Sequence, residues 1–324
     1  MEISDFIGKC NSLTSKGEPF LFMVDYDLED FQLFPLEIAA DAGVFYDIQG
    51  LSNFDIETAP LTEEIDFKAI PIEYNRYEDA FSMVRKHIFH GNSFLLNLTF
   101  PSSLMTNLSL QEIFARSSAK YKLLFKDRFT VFSPETFVKI KDGFIYSYPM
   151  KGTMDAKVPN AEKILLENEK EIWEHNTIVD LIRNDLSMVA KEVTVTKFRY
   201  IDRIKTHSHE LLQVSSEIRG KLPDDWKNNI GNILLSLLPA GSICGAPKKK
   251  TLEIISLAEK KKRGFFTGVF GIYDGNTIDS AVMIRYIEKT PNGLQFRSGG
   301  GITGHSDPKE EYKEMIQKVY VPIV

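Results

Sequence analysis

The sequence has few cysteines, little excess charge and no long apolar run. Its 324 residues include two cysteines, Cys10 and Cys244, whose separation matches neither a disulfide framework nor a CxxC metal site. The 45 acidic residues outnumber the 39 basic ones, which argues against a general nucleic-acid-binding protein. Because no apolar stretch approaches the roughly 20 residues that cross a bilayer, a membrane-spanning helix is not expected.

The first residues of the chain bear on the cellular location of the protein. Its first residues, Met1-Glu2-Ile3-Ser4-Asp5, are acidic and lack the basic and then apolar layout of a signal peptide. We therefore expect a cytoplasmic protein. Strand patterns dominate, and the helical patterns do not alternate regularly with them, which predicts an α+β fold and not a doubly wound α/β sheet.

Local patterns predict the order of the elements. Residues 1–70 are interpreted as short strands and turns, with an acidic linker at about 58–66. Residues 129–148 predict a β-meander with a hairpin turn at Asp142-Gly143. Helices are predicted over residues 77–90, 161–188, 225–238 and 247–262. The last helix starts at Asp307, an N-cap residue followed by proline.

Two glycine-containing motifs resemble nucleotide-binding fingerprints only superficially. Residues 299–304 read GGGITG, which fits G-x-G-x-x-G but ends 20 residues before the C-terminus instead of opening a βαβ unit. Residues 241–248 read GSICGAPK, which lacks the G-K-[ST] ending of a P-loop. We interpret the first motif as a glycine-rich turn before the last helix and the second as a helix N-terminus.

Two pairs of glutamates share one spacing. Glu171 and Glu174 lie three residues apart on a predicted helix, hence on one face, and Glu311 and Glu314 repeat this on the last helix. Each pair alone is most often a solvated helix face. Together they could form a carboxylate site for a hard cation such as Mg²⁺.

Lys151 lies where a predicted strand ends in an abrupt turn. It is either a surface charge or a desolvated lysine among apolar residues. In the second case burial would lower its pKa and make the neutral amine nucleophilic.

Six ordered motifs give the chain its resemblance to a known family, from about residue 75 to the C-terminus. They are Ser133-Pro134-Glu135, Pro149-Met150-Lys151-Gly152-Thr153, residues 174–186 (EHNTIVDLIRNDL), residues 239–248 (PAGSICGAPK), residues 281–285 (AVMIR), and residues 299–302 (GGGI) with 306–314 (SDPKEEYKE). In these motifs the chain resembles the chorismate-utilising enzymes, which include anthranilate synthase large subunit, aminodeoxychorismate synthase component I and isochorismate synthase.

The resemblance implies a fold, a reaction and two catalytic residues. The implied fold is one large α/β/β/α arrangement with two packed sheets and outer helices, in which residues 1–70 pack as a strand-rich region on the catalytic domain 71–324. The P-x-K-G-T lysine resembles that of aminodeoxychorismate synthase, which implies amination of chorismate to 4-amino-4-deoxychorismate for p-aminobenzoate and folate. Lys151 would be the nucleophile and Glu135 the general acid.

The resemblance also implies a binding set. Mg²⁺ held by Glu174 and Glu314, supported by Glu171 and Glu311, would bind the ring carboxylate of chorismate. The remaining implied substrate contacts are Arg285 at the enolpyruvyl carboxylate, the Gly300 and Gly301 amides, Lys318, Ser242 and Thr153.

The chain departs from the family pattern in places, which leaves alternatives open. Gln213 stands where the family commonly has histidine, so a proton-transfer role there is in doubt. The chain lacks a Cys-His-Glu glutaminase set, which implies that a separate glutamine amidotransferase subunit or solution supplies the ammonia. Anthranilate or isochorismate formation, and a non-catalytic chorismate-binding subunit, remain the alternatives.

Overall fold

The computed structural model describes residues 1–54, 64–205 and 210–322. Most of the predicted linker at 58–66 lies outside these ranges. Among the described residues, no helix has both the length and the apolar character needed to cross a bilayer.

Helices and strands follow one another without strict alternation. The helices are α1 (Ile3–Lys16), α2 (Tyr74–Phe89), α3 (Leu110–Arg116), α4 (Ala161–Glu167), α5 (Glu169–Ser187), α6 (Ile230–Ser236), α7 (Gly241–Cys244), α8 (Lys248–Glu259) and α9 (Pro308–Gln317). Two short 3₁₀ helices span Leu36–Ile38 and Trp226–Asn228. The strands are β1 (Phe20–Val24), β2 (Phe31–Pro35), β3 (Val44–Ile48), β4 (Leu51–Ser52), β5 (Phe67–Ile70), β6 (Leu96–Thr106), β7 (Tyr121–Phe125), β8 (Phe129–Ser133), β9 (Thr136–Lys141), β10 (Phe144–Ser147), β11 (Met150–Asp155), β12 (Lys191–Lys205), β13 (Glu210–Lys221), β14 (Val269–Tyr273), β15 (Ile278–Val282), β16 (Tyr286–Thr290) and β17 (Gly293–Ile302).

These strands form two antiparallel sheets. The first sheet has nine strands in the order β11-β13-β10-β9-β15-β14-β1-β2, and β12 pairs with β13 beside this path. The second has eight strands in the order β4-β3-β7-β8-β16-β17-β6-β5. The predicted α+β fold of two packed sheets with outer helices is therefore confirmed.

Strand β1 shows how the sheets bury their two faces. Phe20, Phe22 and Val24 pack in one apolar cluster with side chains of α1, α5 and α6. Leu21 and Met23 pack in a second cluster, with side chains of both sheets. Because alternate side chains of a strand point to opposite faces, a continuously apolar strand fits this position between helices and a second sheet.

Helix ends follow local capping chemistry. The Asp307 side chain accepts hydrogen bonds from the amides of Lys309 and Glu310, so α9 begins where the sequence predicts. The long helix predicted over 161–188 is instead two helices, because Asn168 ends α4 and caps α5 by accepting the amide hydrogen of Glu171. Asp142 and Gly143 both have positive φ, as a type I′ hairpin turn requires.

Other predicted elements differ from the structure as well. Residues 3–16 form helix α1 and not strands, with Phe6, Cys10 and Thr14 buried four residues apart on one face. The predicted meander at 129–148 is divided, because β8 lies in the second sheet while β9 and β10 lie in the first. The glycine run at 299–301 belongs to strand β17 and is not a turn.

Candidate active site

A cavity of about 1390 Å³ lies where the chain passes between the two sheets. Glu135 lies between β8 and β9, and Arg285 lies between β15 and β16. The two crossings are joined, because the amide of Val282 donates to the Glu135 carbonyl at 3.1 Å. Of the predicted site residues, all but Gly300 line this cavity, namely Glu135, Lys151, Thr153, Glu171, Glu174, Ser242, Arg285, Gly301, Glu311, Glu314 and Lys318.

Glu135 is held by a side chain of α7. The Ser242 hydroxyl donates to Glu135 Oε1 at 2.6 Å. Burial raises the pKa of Glu135, and this effect outweighs the opposing Ser242 hydrogen bond and the attraction of Lys318, Lys151 and Arg285. The cavity therefore favours a protonated carboxyl that can act as an acid.

Lys151, on β11, makes an ion pair with the metal-binding candidate Glu174. Its Nζ lies 2.7 Å from Glu174 Oε2. Burial lowers the pKa of Lys151, but the carboxylates of Glu174, Glu171 and Glu314 outweigh burial and raise it. The expectation of a lowered pKa is thus wrong for the structure as it stands, since the negative charges around the ammonium stabilise its protonated form.

Lys318, directly after α9, pairs with a glutamate of the second pair as Lys151 does with one of the first. Its Nζ lies 2.6 Å from Glu314 Oε1 and donates to the Gly299 carbonyl at 2.9 Å. The buried Glu311 accepts a hydrogen bond of 2.7 Å from the Ser306 hydroxyl. Helix α9 is thereby connected to the glycine run of β17 and to its own preceding loop.

The four glutamates offer an all-oxygen donor set from two helices. No three histidine, cysteine, aspartate or glutamate side chains within residues 1–54, 64–205 and 210–322 are grouped closely enough to hold a metal ion as they stand. Carboxylates of both α5 and α9 nevertheless act on the single ammonium of Lys151. Since carboxylate oxygens are the donors that Mg²⁺ prefers, these residues fit such an ion once the lysines no longer pair with them.

Two glycines make room for the carboxylates. A Cβ on Gly152 would lie 3.3 Å from Glu171 Oε2, and a Cβ on Gly300 would lie 3.2 Å from Glu311 Oε2. The backbone of β11 and β17 can therefore approach the glutamate pairs closely only because side chains are lacking at these points.

Arg285 has an unused donor inside the protein. Its Nη1 donates to the Lys318 carbonyl at 3.4 Å, and its guanidinium carbon lies 4.8 Å from the centroid of the Tyr320 ring. Its Nε is buried and has no hydrogen-bond partner among the described residues. A planar cation with free donors beside a cavity is suited to a carboxylate.

The glycine amides differ in direction. Residues 299–301 pair with residues 97–99 of β6, and β16 pairs with β17 only as far as Arg297. Because the Gly299 carbonyl accepts from Lys318, the amides of Gly299 and Gly301 face the open edge of β17, whereas that of Gly300 faces β6. Of the two predicted amide donors, only Gly301 is placed to meet a ligand.

Gln213, in place of the family histidine, lines the same cavity. Its Nε2 donates to the Thr153 hydroxyl at 3.3 Å. The two residues are register partners between β11 and β13. Gln213 thus positions Thr153, and an amide has no proton to transfer at neutral pH.

Two charged residues with a structural link to the site were not predicted. Lys248 Nζ donates to Asp185 Oδ2 at 3.2 Å, and both side chains are largely buried. Both residues stand inside motifs that carry the resemblance. Their partnership was not predicted, because it arises only when α5 packs against α7 and the start of α8.

Known proteins are similar in sequence to this chain over most of its length. Residues 47–323 match the family described as chorismate binding enzyme. An uncharacterized PabA-like protein of Haemophilus influenzae is 52% identical over 318 residues, which cover 98% of this chain and 96% of that protein. Aminodeoxychorismate synthase component 1 of Bacillus subtilis is 31% identical over 267 residues, which cover 78% of this chain and 56% of that protein.

Solved structures share the fold. Anthranilate synthase component I of Streptococcus pneumoniae superposes with a TM-score of 0.67 and 26% identity, covering 79% of this chain and 59% of that chain. The menaquinone-specific isochorismate synthase of Escherichia coli superposes with a TM-score of 0.73 over 97% of this chain and 80% of its own. At 15% identity, the second comparison supports the fold alone.

Proposed function

The chain belongs to the chorismate binding enzyme family, and from this premise we propose that it aminates chorismate to 4-amino-4-deoxychorismate. The 31% identity to an aminodeoxychorismate synthase component supports this choice of reaction. So does the lysine at position 151, where anthranilate synthases generally carry alanine.

One observation carries the proposal. Lys151 and Glu135 line the same cavity, and Lys151 contributes to the charge that acts on the Glu135 carboxyl. A nucleophile and an acid facing one space are what a displacement of hydroxyl requires.

The proposed reaction consists of two displacements. The Lys151 amine forms a bond to the far carbon of the allylic system, the double bond shifts, and the C–O bond breaks. The hydroxyl departs as water with the proton from Glu135. Ammonia then bonds to the carbon that carried the hydroxyl, and the double bond returns as the C–N bond to Lys151 breaks. Because its pKa is raised, the Lys151 ammonium must release one proton to solvent before the first step. After the second step, the ammonium formed from ammonia returns a proton to the Glu135 carboxylate.

The substrate carboxylates have separate partners in this proposal. Arg285, with its unused Nε, would bind the enolpyruvyl carboxylate, and Lys318, Ser242, Thr153 and the Gly301 amide would face the rest of the substrate. Mg²⁺ held by Glu174 and Glu314, with Glu171 and Glu311 beside them, would supply positive charge for the ring carboxylate. Without such charge, the glutamates would repel the substrate.

Ammonia would come from a partner. We propose a separate glutamine amidotransferase subunit, because neither buried cysteine lies in a setting that could serve a glutaminase. Burial raises the pKa of Cys10 to about 12 and that of Cys244 to about 11, so neither is a thiolate at neutral pH.

Product identification tests the proposal. The purified chain with chorismate, Mg²⁺ and ammonium should give 4-amino-4-deoxychorismate by chromatography and mass spectrometry. Glutamine should replace ammonium only after an amidotransferase is added. With ammonia omitted, intact-protein mass spectrometry should show an adduct on Lys151.

A pair of lysine variants provides the control. Lys151→Ala should lose the adduct and at least about 100-fold of the 4-amino product, because the covalent route disappears. Lys163→Ala, which removes an exposed lysine of α4, should behave as wild type. A 2-amino product or isochorismate from the wild type would overturn the proposed reaction, and near wild-type turnover by Lys151→Ala would overturn the nucleophile.

A further inference from the structure

Helix α7 carries Ser242, yet it is only four residues long and has no cap of its own. Its first residue, Gly241, lies directly against the Asp185 carboxylate of α5, and its backbone amide helps to lower the pKa of that carboxyl. The approach is so close that a Cβ on Gly241 would lie 2.4 Å from Asp185 Oδ2. The position of α7 is thus set by a side chain 56 residues earlier in the chain.

Lys248 completes this attachment. Its ammonium donates to Asp185 Oδ2 at 3.2 Å and to the Leu237 carbonyl at 3.3 Å. Leu237 precedes α7 and Lys248 follows it, so one ammonium connects both flanks of the short helix to α5. A largely buried charge pair is weak evidence for added stability, but its two contacts restrict how α7 can move relative to α5.

The other end of α7 is fixed by backbone contact. Gly245, directly after the helix, lies against the residue before β6, since a Cβ there would lie 1.7 Å from the Leu95 carbonyl oxygen. The Phe94 amide also donates to the Ala246 carbonyl at 3.0 Å. With both ends fixed, Ser242 in the middle has little freedom relative to Glu135.

We propose that Asp185 and Lys248 are positioning residues, which fix α7 so that the Ser242 hydroxyl aims the Glu135 carboxyl at the departing hydroxyl of the substrate. The role of Glu135 as acid rests on the proposed function, but the attachment of α7 to Glu135 does not. The two can therefore be tested apart.

The Ser242 hydrogen bond changes a measurable quantity, the pKa of Glu135. A donor to a carboxylate favours its ionised form, as do Lys318 on the segment after α9, Lys151 on β11 and Arg285 between β15 and β16. Loss of the Ser242 donor should therefore raise the pKa of Glu135 further. A substitution that only destabilises the fold would lower the free energy of unfolding without raising the pKa of Glu135.

The experiment titrates Glu135 in the substrate-free protein. Carboxyl infrared difference spectra against Glu135→Gln give the pKa of this one group without any turnover. Ser242→Ala should raise it, and Ser242→Thr should restore it. Asp185→Ala and Lys248→Met should raise it in the same direction, because α7 then holds Ser242 less firmly.

A double variant separates positioning from general damage. Ser242→Ala combined with Lys248→Met should titrate as Ser242→Ala alone, since Lys248 acts through the hydroxyl that is already gone. Lys250→Met removes an exposed lysine of the same helix and should leave Glu135 unchanged. In turnover, Lys248→Met should lower kcat about 10- to 100-fold with little change in KM for chorismate.

Two results would overturn the proposal. One is an unchanged Glu135 titration in both Asp185→Ala and Lys248→Met while Ser242→Ala shifts it. The other is an unchanged titration in Ser242→Ala. If Asp185→Ala does not fold, Lys248→Met alone decides, because the contact of Asp185 with Gly241 remains in that variant. A shifted titration without any aminated product would refute the proposed function and leave the positioning intact.

Discussion

At the scale of single residues, the pKa of Glu135 links the chemistry of the site to the stability of the protein. The folded chain raises this pKa, so the folded state holds a proton that the unfolded state has released over a window of pH. Within that window the folded state binds more protons, and its stability falls as pH rises from the unfolded to the folded pKa. The site thus favours the protonated Glu135 carboxyl, and this lowers the stability of the folded protein at neutral pH.

Replacing Glu135 by glutamine should stabilise the protein and abolish its activity. Glutamine stays neutral and can still accept from Ser242, so the buried charge is avoided. We expect a gain on the order of 1 kcal/mol at pH 8 and almost none at pH 4, measured by thermal unfolding at both values.

Glu253→Gln is the matched control, because it removes an exposed carboxylate whose pKa Lys250 lowers. That variant should not gain stability at pH 8. An equal loss of stability in both variants would show that Glu135 is ionised and well compensated in the folded state.

At the scale of elements, the bulge in β11 determines where Lys151 lies. The register with β13 shifts between Lys151 and Thr153, and Gly152 between them has a φ of 73°. A residue with a side chain is strained in this conformation, and here it would also meet Glu171. The bulge therefore couples the position of the lysine to that of a carboxylate pair.

A comparison of two glycines isolates this coupling. Gly143→Ala, at φ 77° with nothing near its Cβ, should cost about 1 kcal/mol of stability and leave turnover unchanged. Gly152→Ala should cost at least as much and lower kcat as well, because the new methyl group displaces Glu171. Chemical unfolding and steady-state kinetics of both variants measure this, and equal kinetics would show that the bulge does not position the site.

The sequence predicts elements well where local chemistry decides and poorly where packing decides. The Asp307 cap and the Asp142-Gly143 turn depend on adjacent residues and are predicted correctly. The glycine run at 299–301 is not, because its place in a strand depends on β6. A Cβ on Gly299 would lie 2.3 Å from the Leu98 carbonyl oxygen, a contact that no local pattern reveals.

The candidate site shows the same division. Glu135, Lys151 and the glutamate pairs stand in motifs and could be predicted by resemblance. The pairing of Lys151 with Glu174, which reverses the expected pKa shift, depends on how β11 meets α5. The link from Asp185 to Ser242 depends equally on contacts between elements distant in the chain.

At the scale of the whole molecule, the two glutamate pairs lie on helices from separate parts of the chain that meet at the site. Glu174 on α5 and Glu314 on α9 are 140 residues apart in sequence, and both act on Lys151. A cation bound by both helices would stabilise the folded chain, because the unfolded chain offers no such site.

Divalent cations should therefore raise the melting temperature. At a concentration 100 times the Kd, Mg²⁺ or Mn²⁺ should add about 2.7 kcal/mol of stability. Glu314→Gln should remove this gain, whereas Glu310→Gln, an exposed residue of the same helix, should keep it. Calorimetry without substrate measures the effect, and Mn²⁺ electron paramagnetic resonance counts the bound ions. A wild type that neither gains stability nor binds Mn²⁺ would contradict the site.

The position of β1 in the first sheet has a consequence for synthesis on the ribosome. Strand β1 pairs with β2 nearby and with β14, whose Tyr273 is the register partner of Phe20. At roughly 5–20 residues per second, Tyr273 is made about 13–50 s after Phe20. Until β14 has been made, the edge of this wholly apolar strand that β14 covers in the folded protein stays open. The FLFMV segment of the nascent chain must therefore avoid pairing with other strands until β14, in the last third of the sequence, has been synthesised.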